Sequence, residues 1–290
     1  MEDRFIEPKK DNSIKTFIII VAFAIIITLA FQYSRYGLQL LSNDGANDSK
    51  VALTEDNLCS ICPFQMAGLG KVRSISKDDN VITFHFFVTE SEDSISIDIS
   101  AIKKNEERAM DLAMVEVQGT KGRLRELMNK IVQQGMSLCF DIKGDKGGNG
   151  QIILTPLQIR DALNRLPFAN DYDFSLHAIA NTNRMLLPLQ VDAITEWVDV
   201  EINSNDFIYV YSVDDSQLKL STIDLQAQKE VMYKKLKENR RDLKNIIEGC
   251  ANTKRGIIYR YIGKWNREST GIHIWPEELE YIDDEVEVYD

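Results

Sequence analysis

The sequence is poor in the residues from which most chemical sites are built. Its 290 residues include only four cysteines and three histidines. Four cysteines are too few for a disulfide scaffold, and histidines this widely spaced offer no metal cluster. No Gly-x-Ser-x-Gly turn, phosphate loop or His-Glu-x-x-His helix occurs. The glycine-rich stretch from Gly144 to Gly150 comes closest, but it joins two expected strands. A phosphate cradle needs a helix N-terminus behind it, which this stretch lacks. Basic excess is also missing: 34 Lys and Arg against 45 Asp and Glu leave a net charge of −11. Nucleic-acid binding normally needs a basic face, so the balance argues against such a partner. No cofactor is expected. With 44% hydrophobic and 27% charged residues, the chain has material for one or two ordinary cores.

What is present begins with an apolar run. From Thr16 to Ser34 there is no charge, and Phe17 to Phe31 reads FIIIVAFAIIITLAF. As a helix, residues 16–34 would span about 28 Å, close to the hydrocarbon thickness of a bilayer. The run is long for a signal peptide, and no small-residue cleavage site follows it directly. An uncleaved transmembrane anchor is therefore expected at 16–34. Arg4, Lys9, Lys10 and Lys15 precede it, whereas Arg35 and the more distant Lys50 follow. That asymmetry places residues 1–15 in the cytoplasm as a tail and everything beyond the anchor outside it. Residues 35–57 are polar, without sustained period, and read as a spacer.

The rest of the chain is organised by a repeat. Pro63 pairs with Pro188, Gln65 with Gln190, Asn80 with Asn205, Phe84 with Tyr209 and Phe86 with Tyr211, all at one offset. After a helical segment the match resumes, LCFDIKG (Leu138–Gly144) against IIYRYIG (Ile257–Gly263), and then Pro156 against Pro276. A period this long is a duplicated small domain, not a solenoid unit. The units are 58–165 and 186–282, with a linker at 166–185 and an acidic tail at 283–290.

The second copy is the clearer one. Trp197 to Ile202 and Phe207 to Val213 flank the turn-rich Asn203-Ser204-Asn205-Asp206 and read as a hairpin. Apolar residues on both faces of the returning strand mark it as central. Leu218–Ile223 is a candidate third strand. Met232, Leu236, Leu243, Ile247 and Cys250 form one stripe of a helix over Leu225–Glu248. Gly119 and Gly122 interrupt the equivalent helix of the first copy, and Gly135 and Gly249 stand where the two helices should end. A second hairpin, Gly256–Ile262 and Gly271–Trp275, precedes a short helix opened by Pro276. The expected fold class is α+β: after the transmembrane helix, two duplicated β-β-α-β-β(-α) domains with antiparallel sheets.

The pattern Pro-x-Gln-hydrophobic-Asp, Tyr-x-Tyr-x-Val-Asp, a long helix, Tyr-Arg-Tyr-x-Gly and Pro-Glu-Glu-Leu, complete in the second copy, resembles that of a family of uncharacterised bacterial proteins. These are secreted or membrane-anchored and carry a tandem repeated α+β domain. The resemblance implies a fold unit and a bacterial envelope setting, but no activity.

Two places carry candidate function. Cys59 and Cys62 form a CxxC, which can be a redox or disulfide pair if the first thiol sits at a helix start; Pro63 instead places Cys62 at the beginning of a strand. Trp265 and Arg267 lie in the polar loop GKWNREST. An exposed Trp and Arg are typical of partner-binding hot spots, and the alternative is a ring folded back onto its own sheet. His85 aligns with Val210 and His273 with Ile153, so the duplication offers no symmetric histidine site. His85, among Phe84, Phe86 and Phe87, reads as a satisfied, half-buried imidazole. The leading expectation is a non-enzymatic, membrane-anchored extracytoplasmic protein, periplasmic or at the cell surface. It would hold the membrane through residues 16–34 and bind a protein or envelope partner. The rival is an envelope thiol-redox protein using Cys59 and Cys62.

Overall fold

The computed structural model describes residues 53–88, 99–144 and 147–284. The tail 1–15, the expected anchor 16–34 and most of the spacer 35–57 lie outside them. Among the described residues no helix is long and apolar enough to cross a membrane.

The chain forms two similar α+β units in tandem. The first runs α1 (Glu55–Cys59), β1 (Phe64–Met66), β2 (Gly70–Asp78), β3 (Val81–Val88), α2 (Ile99–Lys104), α3 (Glu106–Gln118), α4 (Gly122–Gln133), β4 (Ser137–Gly144), β5 (Asn149–Leu154) and α5 (Pro156–Asn164). The second runs α6 (Asp171–Leu186), β6 (Leu189–Gln190), β7 (Thr195–Ile202), β8 (Asp206–Val213), a 3-10 turn (Leu220–Thr222), α7 (Leu225–Glu238), α8 (Arg240–Thr253), β9 (Gly256–Gly263), β10 (Ser269–Ile274) and α9 (Pro276–Asp284).

Each unit has a five-stranded sheet, in order β1-β2-β3-β4-β5 and β6-β7-β8-β9-β10. The duplication extends to detail. Register shifts fall between Val72 and Ser74 in one sheet and between Trp197 and Asp199 in the other. Both Cys62–Pro63 and Leu187–Pro188 are cis. These positions correspond under the alignment of the repeat.

The sheets are mixed, which corrects the antiparallel expectation. β3 pairs with β4 in parallel, Phe84 opposite Phe140, and β8 pairs with β9 in parallel, Tyr209 opposite Tyr259. The helices between these strands form a crossover, so the chain re-enters the sheet from the same end. The remaining pairs are antiparallel. The central strands β3 and β8 each hold the middle of a sheet, as the apolar residues on both faces of Phe207–Val213 require.

Three local expectations also change. Leu218–Ile223 contributes the 3-10 turn instead of a strand, and the additional strand in each unit is the short edge β1 or β6. The single helix expected over Leu225–Glu248 is two, divided at Asn239. Gly249 lies inside α8, where a Cβ would come within 2.8 Å of the Leu176 side chain. The left-handed residue after α8 is Lys254, at φ 58°, whereas Gly135, at φ 66°, does follow α4 as expected. The acidic segment begins within α9, which reaches Asp284; its remainder lies outside the described residues.

The expected linker 166–185 is largely α6, opened by the Asn170 side chain accepting from the Asp173 N–H. It belongs to both cores. Met185 packs in the first with Phe84, Phe140, Leu112 and Leu127, and Leu176, Ile179 and Ala180 pack in the second with Trp197, Phe207 and Tyr211. Polar contacts bind its end to α3. Arg108 donates to the Arg184 and Leu187 carbonyls at 2.6 and 2.9 Å, and Asn105 to the Met185 carbonyl at 2.7 Å. These donors satisfy carbonyls that a helix end leaves without internal partners.

Candidate functional site

The cysteine pair has the wrong polarity for redox work. Cys59 is the last residue of α1, so its thiol sits at the end of the helix and not at its beginning. Both thiols are free, Cys59 exposed and Cys62 half-buried. Burial, with the neighbouring Cys59 adding to it, pushes the Cys62 thiol up to about 11. In a redox pair of this spacing the first thiol is the nucleophile, activated at a helix start, a position Cys59 does not hold. Cys139 and Cys250 are buried, as small core residues.

The loop that carries Trp265 joins β9 to β10. Trp265 is 68% exposed, against the reading in which the ring folds onto its own sheet. The backbone beneath the ring is held in place. Asp215 accepts from the Trp265 and Asn266 N–H groups, each at 2.9 Å. Trp265 Nε1 donates to Asp214 at 3.2 Å, and the Glu268 N–H to the Asn266 side chain at 2.8 Å. Arg267 takes a left-handed conformation at φ 59°. Asp214 is held down to about 2, chiefly by hydrogen bonds from Ser216 and Gln217 and further by that from Trp265. Lys264 brings its ammonium to 5.6 Å from the indole centroid. The loop therefore presents an aromatic plate with the Lys264 ammonium beside it.

The first unit contains an arrangement that no motif in the sequence marks. Alternation along β3 turns Phe84 and Phe86 into the core and sends His85 to the opposite face. Parallel pairing sets His85 opposite Asp141, and antiparallel pairing sets Asp141 opposite Gln151. Ser76 reaches the same imidazole from β2. The Ser76 Oγ lies 2.8 Å from His85 Nε2, and His85 Nδ1 lies 3.1 Å from Asp141 Oδ2. An ionised carboxylate only accepts, so Nδ1 carries the proton. In the neutral imidazole Nε2 is then the acceptor for the Ser76 hydroxyl.

Asp141 is buried, whereas His85 and Ser76 are half-buried. Burial alone would push the Asp141 carboxyl up. Hydrogen bonds from Gln151, His85 and Lys143 outweigh it and hold the group below its ordinary range. Gln151 donates to Oδ1 at 3.2 Å, and the Lys143 ammonium stands 3.2 Å from Oδ2. Phe87 and Ile153 lie on the same face and are 43% and 53% exposed. The second unit has Val210 and Arg260 at the positions of His85 and Asp141, and Arg260 pairs with Glu201 at 3.0 Å. The arrangement belongs to the first unit alone. Among the described residues no group of histidine, cysteine and acidic side chains is arranged to hold a metal ion.

Comparison of the chain with protein-family models, with curated proteins and with solved structures finds no match.

Proposed function

We propose that the chain is a membrane-anchored, extracytoplasmic binding protein whose second unit recognises a protein or envelope partner through the Trp265 loop. The reading is supported above all by an exposed tryptophan on a loop whose backbone is already ordered. Ordering a loop on binding costs free energy, and a loop pinned beforehand avoids much of that cost. Trp and Arg are the side chains most enriched among residues that dominate binding energy. The anchor is supported by the uncharged run at 16–34 and the basic residues before it. The thiol-redox alternative has less support, because Cys59 ends α1 instead of beginning a helix.

Trp265→Ala separates the roles of the ring. It should change the stability of the full chain by no more than about 0.5 kcal/mol, as an exposed position does. Capture of the native partner should weaken by about 2 kcal/mol or more. Loss of stability without loss of capture would make the ring structural and remove the proposal.

A further inference from the structure

We propose that Ser76, His85 and Asp141 form a nucleophilic site for acyl transfer, with carboxylic esters of small acyl groups as the substrate class. This goes beyond the binding role and departs from the non-enzymatic expectation. It rests on the first unit alone and is independent of the Trp265 loop.

The three groups have the mutual geometry that activates a serine. The hydroxyl is within hydrogen-bond reach of a base, and a buried, ionised carboxylate fixes the base in the tautomer that can accept the hydroxyl proton. Such an arrangement is defined by geometry and roles, which is why it can occur without a Gly-x-Ser-x-Gly turn. The sheet builds it from three strands, with His85 and Asp141 directly opposed and Gln151 holding the second carboxylate oxygen. Lys143 is a further charge on that carboxylate, and it keeps the acid ionised. Phe87 and Ile153 give the same face apolar borders, against which the hydrocarbon part of a small ester can rest.

The step balances without a further reagent beyond water. Ser76 Oγ attacks the ester carbonyl carbon while its proton passes to His85 Nε2. The bond from that carbon to the alcohol oxygen breaks, and the leaving oxygen takes the proton from Nε2. Water then attacks the acyl-serine and gives a proton to Nε2. Ser76 Oγ leaves with that proton, releasing the carboxylic acid. Ser76 and His85 are the catalytic residues; Asp141 is a positioning residue that acts through His85.

The test uses the full chain in mild detergent, with a fluorophosphonate probe and p-nitrophenyl acetate. The probe should form one adduct, on the peptide containing Ser76, and ester turnover should stop when that adduct is complete. Ser76→Ala should abolish both signals. His85→Gln should slow labelling on the order of 10²-fold, in the range of general-base catalysis. Asp141→Asn should slow it as well, and Asp141→Glu should recover part of the rate, which a merely structural aspartate would not produce. Melting temperatures of the Ser76→Ala and His85→Gln variants should stay near that of the unaltered chain, so that lost labelling reports chemistry and not unfolding. No Ser76 adduct under conditions that label a known serine hydrolase would overturn the proposal. So would labelling that proceeds equally fast with His85→Gln.

Discussion

Glu116 shows how much one residue can decide. It is 2% exposed on α3, and its carboxylate accepts from the Ala67 and Gly68 N–H groups in the loop between β1 and β2. Burial raises its carboxyl from 4.5 to about 7, against the lowering effect of the Gly68 and Ala67 hydrogen bonds. Its folded value therefore lies above the unfolded one, and the native state holds the proton more tightly. The associated stability is fully present below about pH 4.5 and is lost as pH rises through 7, on the order of 3 kcal/mol in all. Melting temperature should fall between pH 5 and pH 8, and Glu116→Gln should flatten that dependence. An unchanged slope in the variant would show that other groups set it. Nothing in the sequence marks this acid, because its surroundings come from a loop 48 residues away. The Ser76–His85–Asp141 chain was hidden for a related reason: hairpins legible in the sequence suggested antiparallel neighbours, whereas the parallel β3–β4 pair sets His85 against Asp141.

At the scale of elements, close packing of helices carries the clearest prediction. Gly249 lets α8 approach α6, and a methyl group there would meet Leu176 at 2.8 Å. Gly249→Ala gains helix propensity of about 1 kcal/mol, but overpacking costs about 1–3 kcal/mol. The variant should therefore be no more stable than the parent, and denaturant unfolding measures the difference. A clear gain would mean that the two helices are not in such contact. The place of this glycine in the sequence mimics a C-terminal helix signal, whereas the apposed Leu176 belongs to another element and leaves no local trace. Elements whose signals are local were legible. Pro276 opens α9, as expected from its missing N–H. Asn203 to Asp206 give the β7–β8 turn. The helix division at Asn239 and the short strands β1 and β6 depend on packing and could not be read this way.

For the whole molecule, the repeat made the tandem architecture visible, since Pro63 and Pro188 and the aromatic strands align at one offset. It concealed how the units are joined, because the α6 segment reads as a linker between the copies. α6 supplies Met185 to one core and Leu176 to the other, so the units share a helix. The repeat also sharpens the functional account by its differences: the Ser76–His85–Asp141 chain occurs in the first unit only, and the pinned tryptophan loop in the second. Binding by that loop outside the cytoplasm can be tested by site-directed photocrosslinking in intact cells. Lys264→Cys is introduced with Cys59→Ser and Cys62→Ser, and the cells are treated with a membrane-impermeant benzophenone maleimide. The expected outcome is labelling of intact cells, a discrete crosslinked product on illumination, and loss of that product when Trp265→Ala is added. Labelling only after the cells are broken, or a crosslink indifferent to Trp265→Ala, would contradict it.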